Sequence, residues 1–489
     1  MLSHGGDGTG LPESGSGPRR SFFLLGLLAL SLLVTGCRYT AAPADLLKKP
    51  AIAADKEQLA AAIERALPNY SMLMLPHQDD YKEAIRLVDM DGDGKEEAVV
   101  TYYNEYNTPE VIVLKETENG WRQSVIVEQP LARDMAWLKL ADFDKDGHLE
   151  MLVGWVGAFD SPNMLELYSF QEKAERNEKG DRIQKPIHSL PYSLAETGDL
   201  DGDGLTELAV ITTLEGKTEG EIPQHRFQLF SLKKGQLNKR INMALPEGAD
   251  AFVRMAIGKV SERQAGIVLE GSTGAHSMLT YMYVWEKNGL RLVYPDPLQN
   301  QDGFSGRPTQ SVDMNGDGIM ELNWTYEAPG HPDVPYADSI WINEWMQWDG
   351  KKGFQKTGEQ FLDYTYGVKV DIPELWSGRY SMKKPSASSY GIVAFEYWSA
   401  KSGKTAELAT LYVVPLRQWG NVEAAWKDEG RKYRMLASAS GNAFLVSFAV
   451  DIPSSLSAEE QEEFKELMGA EKPFPSYFTV EDNESNEWR

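Results

Sequence analysis

Four segments of the chain repeat one another, and no other feature limits its fold so sharply. They read DMDGDGKEEAVV from Asp89, DFDKDGHLEMLV from Asp142, DLDGDGLTELAV from Asp199 and DMNGDGIMELNW from Asp313. Their starts lie 53, 57 and 114 residues apart, the last interval being twice the one before. A further copy is expected near residue 257. There AIGKVSERQAGIVLEG keeps the apolar strand but puts Ile257, Lys259, Ser261 and Ala265 at the acidic positions. The period is thus about 56 residues, and units of that length bury their apolar faces only against neighbours, as propellers and solenoids do.

Each copy has the chemistry of a metal loop. Oxygen-bearing side chains stand at positions 1, 3 and 5: Asp89, Asp91 and Asp93; Asp142, Asp144 and Asp146; Asp199, Asp201 and Asp203; Asp313, Asn315 and Asp317. Glycine at position 6 (Gly94, Gly147, Gly204, Gly318) permits a sharp reversal, and an acid at position 9 (Glu97, Glu150, Glu207, Glu321) can close the shell. Hard oxygen ligands at this density, without His or Cys, select calcium over transition metals. An EF-hand does not fit. Val100, Val153, Val210 and Trp324 occupy its position 12, and AVVTYY, MLVGW, LAVITT and LNWTY are strand sequences where it needs helices.

Such a loop between strands, closed by an acid at position 9, resembles the calcium loops of VCBS and FG-GAP repeats. The resemblance covers residues 69–362 and implies a mainly β fold: a five-bladed β-propeller, with six blades as the alternative. A strand around Ser71 to Leu75 is expected to close the ring. It also implies up to four structural Ca2+ ions on the 16 side chains named above. Residues 363–489 lack the repeat and read as an α+β domain, in which Ser457 and Glu460 form a capping box that opens a helix ended by Gly469.

The N-terminus reads as an address. Arg19 and Arg20 precede a Leu-rich apolar run from Phe22 to Val34, too short to span a bilayer, which ends in Leu33-Val34-Thr35-Gly36-Cys37. Small residues before a cysteine at that place are similar to the lipobox of bacterial lipoproteins. The likeness implies a signal peptide over residues 1–36, a lipid on Cys37 and a place outside the cytoplasm, anchored to the membrane of a bacterial cell envelope. Residues 37–68 then form a tether and a short helix. Cys37 is the sole cysteine, so no intrachain disulfide, zinc ribbon or CxxC centre can form.

The net charge of −24, from 73 acidic and 49 basic residues, argues against nucleic-acid binding. Part of that acidity is the loops themselves, whose 16 ligand positions hold 15 acids and Asn315. No HExxH, GxSxG or phosphate-binding loop occurs. The densest aromatic group, around Trp324, Tyr326 and Trp341 with His331, could face a ligand, although blade packing explains it as well. The sequence therefore reads as a non-catalytic, calcium-stabilised envelope lipoprotein that binds a glycan, peptide or protein. A carbohydrate-active hydrolase or lyase, or an envelope assembly factor, is the alternative.

Overall fold

The computed structural model describes residues 54–480 apart from 80, 160, 217–221, 275, 288, 332 and 386–389. Cys37, the signal segment and most of the tether lie outside the described residues. The chain divides into two units, Met1–Arg65 and Ala66–Arg489. The expected short helix is present at Ala54–Ala66, where ADKEQLAAAIERA is rich in strong helix formers. No described helix is long and apolar enough to cross a membrane.

The second unit is mainly β. Its strands form six sheets of seven, four, four, five, five and five strands in chain order. The strand leaving each of the first three Asp-rich loops lies inside its sheet, Glu97–Tyr103, Glu150–Gly157 and Glu207–Leu214, whereas Leu322–Glu327, after the fourth, is an edge strand of the fifth sheet. The first three have almost unbroken runs of buried residues, because both faces of their sheets are covered. Apolar clusters join the sheets in sequence. Val113 and Met151 share one cluster, as do Leu152 and Val210, Ile211 and Leu269, Val284 and Leu322, and Val370 and Phe395. Hairpin turns follow local chemistry. Thr117 pairs with Gly120, which has φ +87°, and Lys234-Gly235 turns with φ of +52° and +69°.

The expected five- or six-bladed propeller is not what these strands make. The six sheets are separate and open, and no closed or propeller-like sheet is present among the described residues. The strand expected to close a ring, Met72–Leu73, pairs instead within the first sheet, Met72 with Tyr103 and Leu73 with Tyr102. At the far end, Phe478–Val480 adds to Val368–Asp371 on the edge of the fifth sheet, whose apolar face packs on the sixth. A sequence period dictates that one unit packs on the next; it does not dictate that the series closes.

The segment after Met72–Leu73 crosses to the second sheet. The Gln78 amide donates to the Ala136 carbonyl at 2.8 Å, and the Asp79 carboxylate accepts from the Leu138 amide at 3.0 Å. In the C-terminal region, Val368–Asp371 extends the fifth sheet, and the sixth is built from Tyr380–Lys383, Gly391–Trp398, Thr405–Pro415, Asn442–Phe448 and Tyr433–Ala439. The Ser457–Glu460 capping box forms in both directions and opens Ala458–Leu467. A second helix, Leu416–Asp428, has no counterpart in the sequence reading; it packs Trp426 on Tyr412 at 4.8 Å between ring centres.

Candidate metal centres

The four Asp-rich loops share one hydrogen-bond scaffold. The first Asp folds back onto the amide of position 6 in every copy and onto that of position 5 in three. Asp89 accepts from Asp93 at 3.2 Å and Gly94 at 2.9 Å, and Asp142 from Asp146 and Gly147 at 3.0 Å each. Asp199 accepts from Gly204 at 3.0 Å, and Asp313 from Asp317 at 3.1 Å and Gly318 at 2.8 Å. The position-9 glutamate accepts from the amide of position 2 in every copy: Met90 at 2.9 Å, Phe143 at 3.1 Å, Leu200 at 2.9 Å and Met314 at 2.8 Å. Position 6 has φ between +79° and +93° in all four, which is why glycine stands there. Position 4 is also left-handed, even where it is Lys145.

This scaffold draws the carboxylates together. One oxygen each from Asp89, Asp91 and Glu97 lie within 4.8 Å of one another, as do those of Asp142, Asp144 and Asp146, and of Asp199, Asp201 and Asp203. Glu97, Glu150, Glu207 and Glu321 are all buried. Two oxygens of these groups, Asp91 Oδ1 and Asp144 Oδ1, are buried with no hydrogen-bond donor. Buried anionic oxygens without partners are costly unless a cation sits among them. The donor set is all oxygen, and its residues fit calcium.

Burial is the main force on the position-9 acids, raising all four above their ordinary range, and nearby aspartates add to it. Glu150 is pushed up to about 7. Its folded value exceeds its unfolded one, so this stabilisation is present below the ordinary value of 4.5 and is lost as pH rises through about 7. In chelator, the melting temperature is therefore expected to fall between pH 5 and pH 8. With calcium, which favours the ionised form, that fall should vanish. Thermal scans across this range check it, and a metal-free protein insensitive to pH would contradict it.

The degenerate copy has no loop. Ala251–Ser261 and Gln264–Ser272 pair directly, with Ser261 opposite Gln264 and a two-residue turn between them. It still receives its neighbour: the Met320 amide donates to the Lys259 carbonyl at 2.8 Å, as Leu149 does to Met90 at 2.8 Å between the first two loops.

The aromatic residues do not share one surface. Trp324 stacks on Tyr294 at 5.7 Å in the core between the fourth and fifth sheets, and Tyr326 donates to Glu359 at 3.0 Å. Trp341 pairs with Glu327 across the sheet, so it points to the other face, where it meets Tyr336 at 5.7 Å and Arg307 at 5.8 Å. His331 belongs to another site. Its Nε2 lies 2.8 Å from Oε2 of the buried Glu396, whose Oε1 is 2.5 Å from Lys383 Nζ. His331, Lys383, Glu327, Val334, Ile340 and Met382 line a cavity of about 280 Å³. Spacing could not reveal this triad, whose members span 65 residues of chain, with Lys383 and Glu396 on the sixth sheet and His331 on a loop. The pair Glu344 and Glu359, directly opposite across the fifth sheet with Lys356 Nζ 3.1 Å from Glu359 and 3.8 Å from Glu344, was hidden in the same way.

No protein-family model matches the chain, and no curated protein matches it. Among solved structures, the chain is similar to the exotype rhamnogalacturonan lyase YesX at 11% identity and a TM-score of 0.27, over 69% of this chain and 84% of that one. It is similar to a rhamnogalacturonan lyase from Bacillus licheniformis at 11% identity and TM-score 0.27, over 66% and 71%. The rhamnogalacturonan lyase YesW gives 11% and 0.28, over 68% and 83%. Likeness at this level fixes neither the fold nor the chemistry of this chain.

Proposed function

We propose that the chain is a calcium-stabilised binding protein of a bacterial cell envelope, held to the membrane by a lipid on Cys37. The observation that carries the calcium reading is the scaffold repeated in all four loops, which buries anionic oxygens and leaves Asp91 and Asp144 each with one unpartnered. Calcium neutralises those oxygens and holds each loop closed, so that the sheets leaving the loops keep their register. The ion's role is structural. The cavity beside His331 and Lys383 offers mixed polar and apolar walls suited to a small part of a glycan or peptide.

A carbohydrate-active enzyme is the second reading, favoured by the Glu344–Glu359 pair with Lys356 and Tyr326 outside the calcium loops. One experiment separates the two. The chain from Arg38 is screened with calcium against glycan arrays, envelope extracts and soluble polysaccharides. Retention that is weakened at least tenfold by Val334→Trp at the cavity wall supports a binding protein. Release of shortened or unsaturated sugar products contradicts it.

A further inference from the structure

The four loops differ in what the rest of each sheet places against them. In the first loop, Lys115 bonds Asp91, and its Nζ is 3.0 Å from Asp93 and 3.4 Å from Oε1 of the buried Glu97. In the third, Arg240 Nη1 is 2.5 Å from Asp201 and 3.1 Å from Glu207. A positive group thus touches the position-3 and position-9 oxygens in both, on the side where these oxygens converge. The third loop has a further cation nearby: a Cβ on Gly204 would fall 2.9 Å from Nζ of Lys145. In the second loop the facing group is a neutral amide at position 5, Gln171 Nε2 lying 2.7 Å from Asp146. In the fourth, Gln347 Nε2 is 2.8 Å from Asp317 and 3.0 Å from Glu321.

We infer that the loops form two classes, in which Lys115 and Arg240 act as tethered counter-cations that compete with calcium, while the loops faced by Gln171 and Gln347 are the tight sites. The inference rests on the calcium reading above. Calcium entering the first or third loop must displace a paired ammonium or guanidinium and then bind beside it, so attraction is lost to like charge. Calcium entering the second or fourth meets an amide that can rotate and present its carbonyl oxygen as one more ligand. The second loop has four carboxylates and no side-chain cation among their partners, and Asp144 Oδ1 is buried there without a donor. Ligand charge sets the affinity of such loops, which makes this one the tightest. The fourth, with Asn315 in place of a carboxylate, follows it.

The test is calcium titration of the chelated full chain by calorimetry, with terbium luminescence as a second readout. Wild type is expected to show two tight sites and two at least tenfold weaker. Lys115→Gln and Arg240→Gln, which copy the residues facing the sister loops, should each convert one weak site to a tight one. Gln171→Lys and Gln347→Lys should each remove a tight one, so a failure of one variant to fold leaves others to decide. Four equivalent sites in wild type, or affinities unmoved by all four substitutions, would overturn the inference and leave the calcium reading standing. No calcium uptake at all would overturn both.

Discussion

Removing calcium is expected to lower the melting temperature of the chain by about 5 °C or more, and restoring it should recover the loss. Two effects drive this. A loop whose free calcium exceeds its dissociation constant tenfold gains about 1.4 kcal/mol from mass action. Two to four such loops are therefore worth about 3–6 kcal/mol, and in a unit of this size each kcal/mol shifts the midpoint by roughly 1–2 °C. In addition, emptying a loop leaves Glu97, Glu150, Glu207 or Glu321 buried beside several aspartates. The strands Glu97–Tyr103, Glu150–Gly157 and Glu207–Leu214 begin at those glutamates, so an opened loop frees the start of a buried strand. Asp144→Ala should reproduce part of the loss, since it removes a ligand from the second loop and the acceptor for the Gly235 amide at 2.9 Å. Thermal scans with chelator, with calcium and with magnesium measure these shifts.

The second large effect lies away from the loops. Asp79→Ala is expected to cost about 3–5 kcal/mol, because it leaves a buried guanidinium without its anion. Asp79 and Arg86 are 8% and 6% exposed. Asp79 accepts from Arg86, from the Leu138 amide at 3.0 Å and from the Tyr81 amide at 3.0 Å. Arg86 in turn donates to the Leu138 carbonyl at 2.6 Å, and its Nε is already without an acceptor. The pair thus ties the segment after Met72–Leu73 to the second sheet through both the amide and the carbonyl of Leu138. Replacing both partners, as Asp79→Leu with Arg86→Met, should cost less than the single substitution, since no charge is then left unpaired. Denaturant unfolding of the three variants measures the difference; a double variant worse than Asp79→Ala would contradict this account of the pair.

The loops were legible in the sequence because every requirement is local. The acids at positions 1, 3, 5 and 9 and the glycine at position 6 all act within nine residues. Local chemistry likewise exposed the Ser457 capping box. What stayed hidden depends on distant partners. Lys115, Gln171, Arg240 and Gln347 reach their loops from 22 to 39 residues downstream, three from different strands and Gln171 from a turn, so no common spacing betrays them. The missing loop of the degenerate copy was visible as a loss of acids, but its replacement by a two-residue turn at Glu262-Arg263 was not. Closure was the furthest from reach. Whether Met72–Leu73 pairs with the first sheet or the last depends on register across the whole unit, and the period says nothing about it.

The claim that these loops hold calcium is tested most directly by titrating the chelated chain with calcium and following heat and metal content together. The account predicts saturable uptake of two to four ions per chain, selective over magnesium and reduced by one ion in Asp144→Ala. A chain that takes up no calcium, or whose uptake is untouched by that substitution, would contradict it.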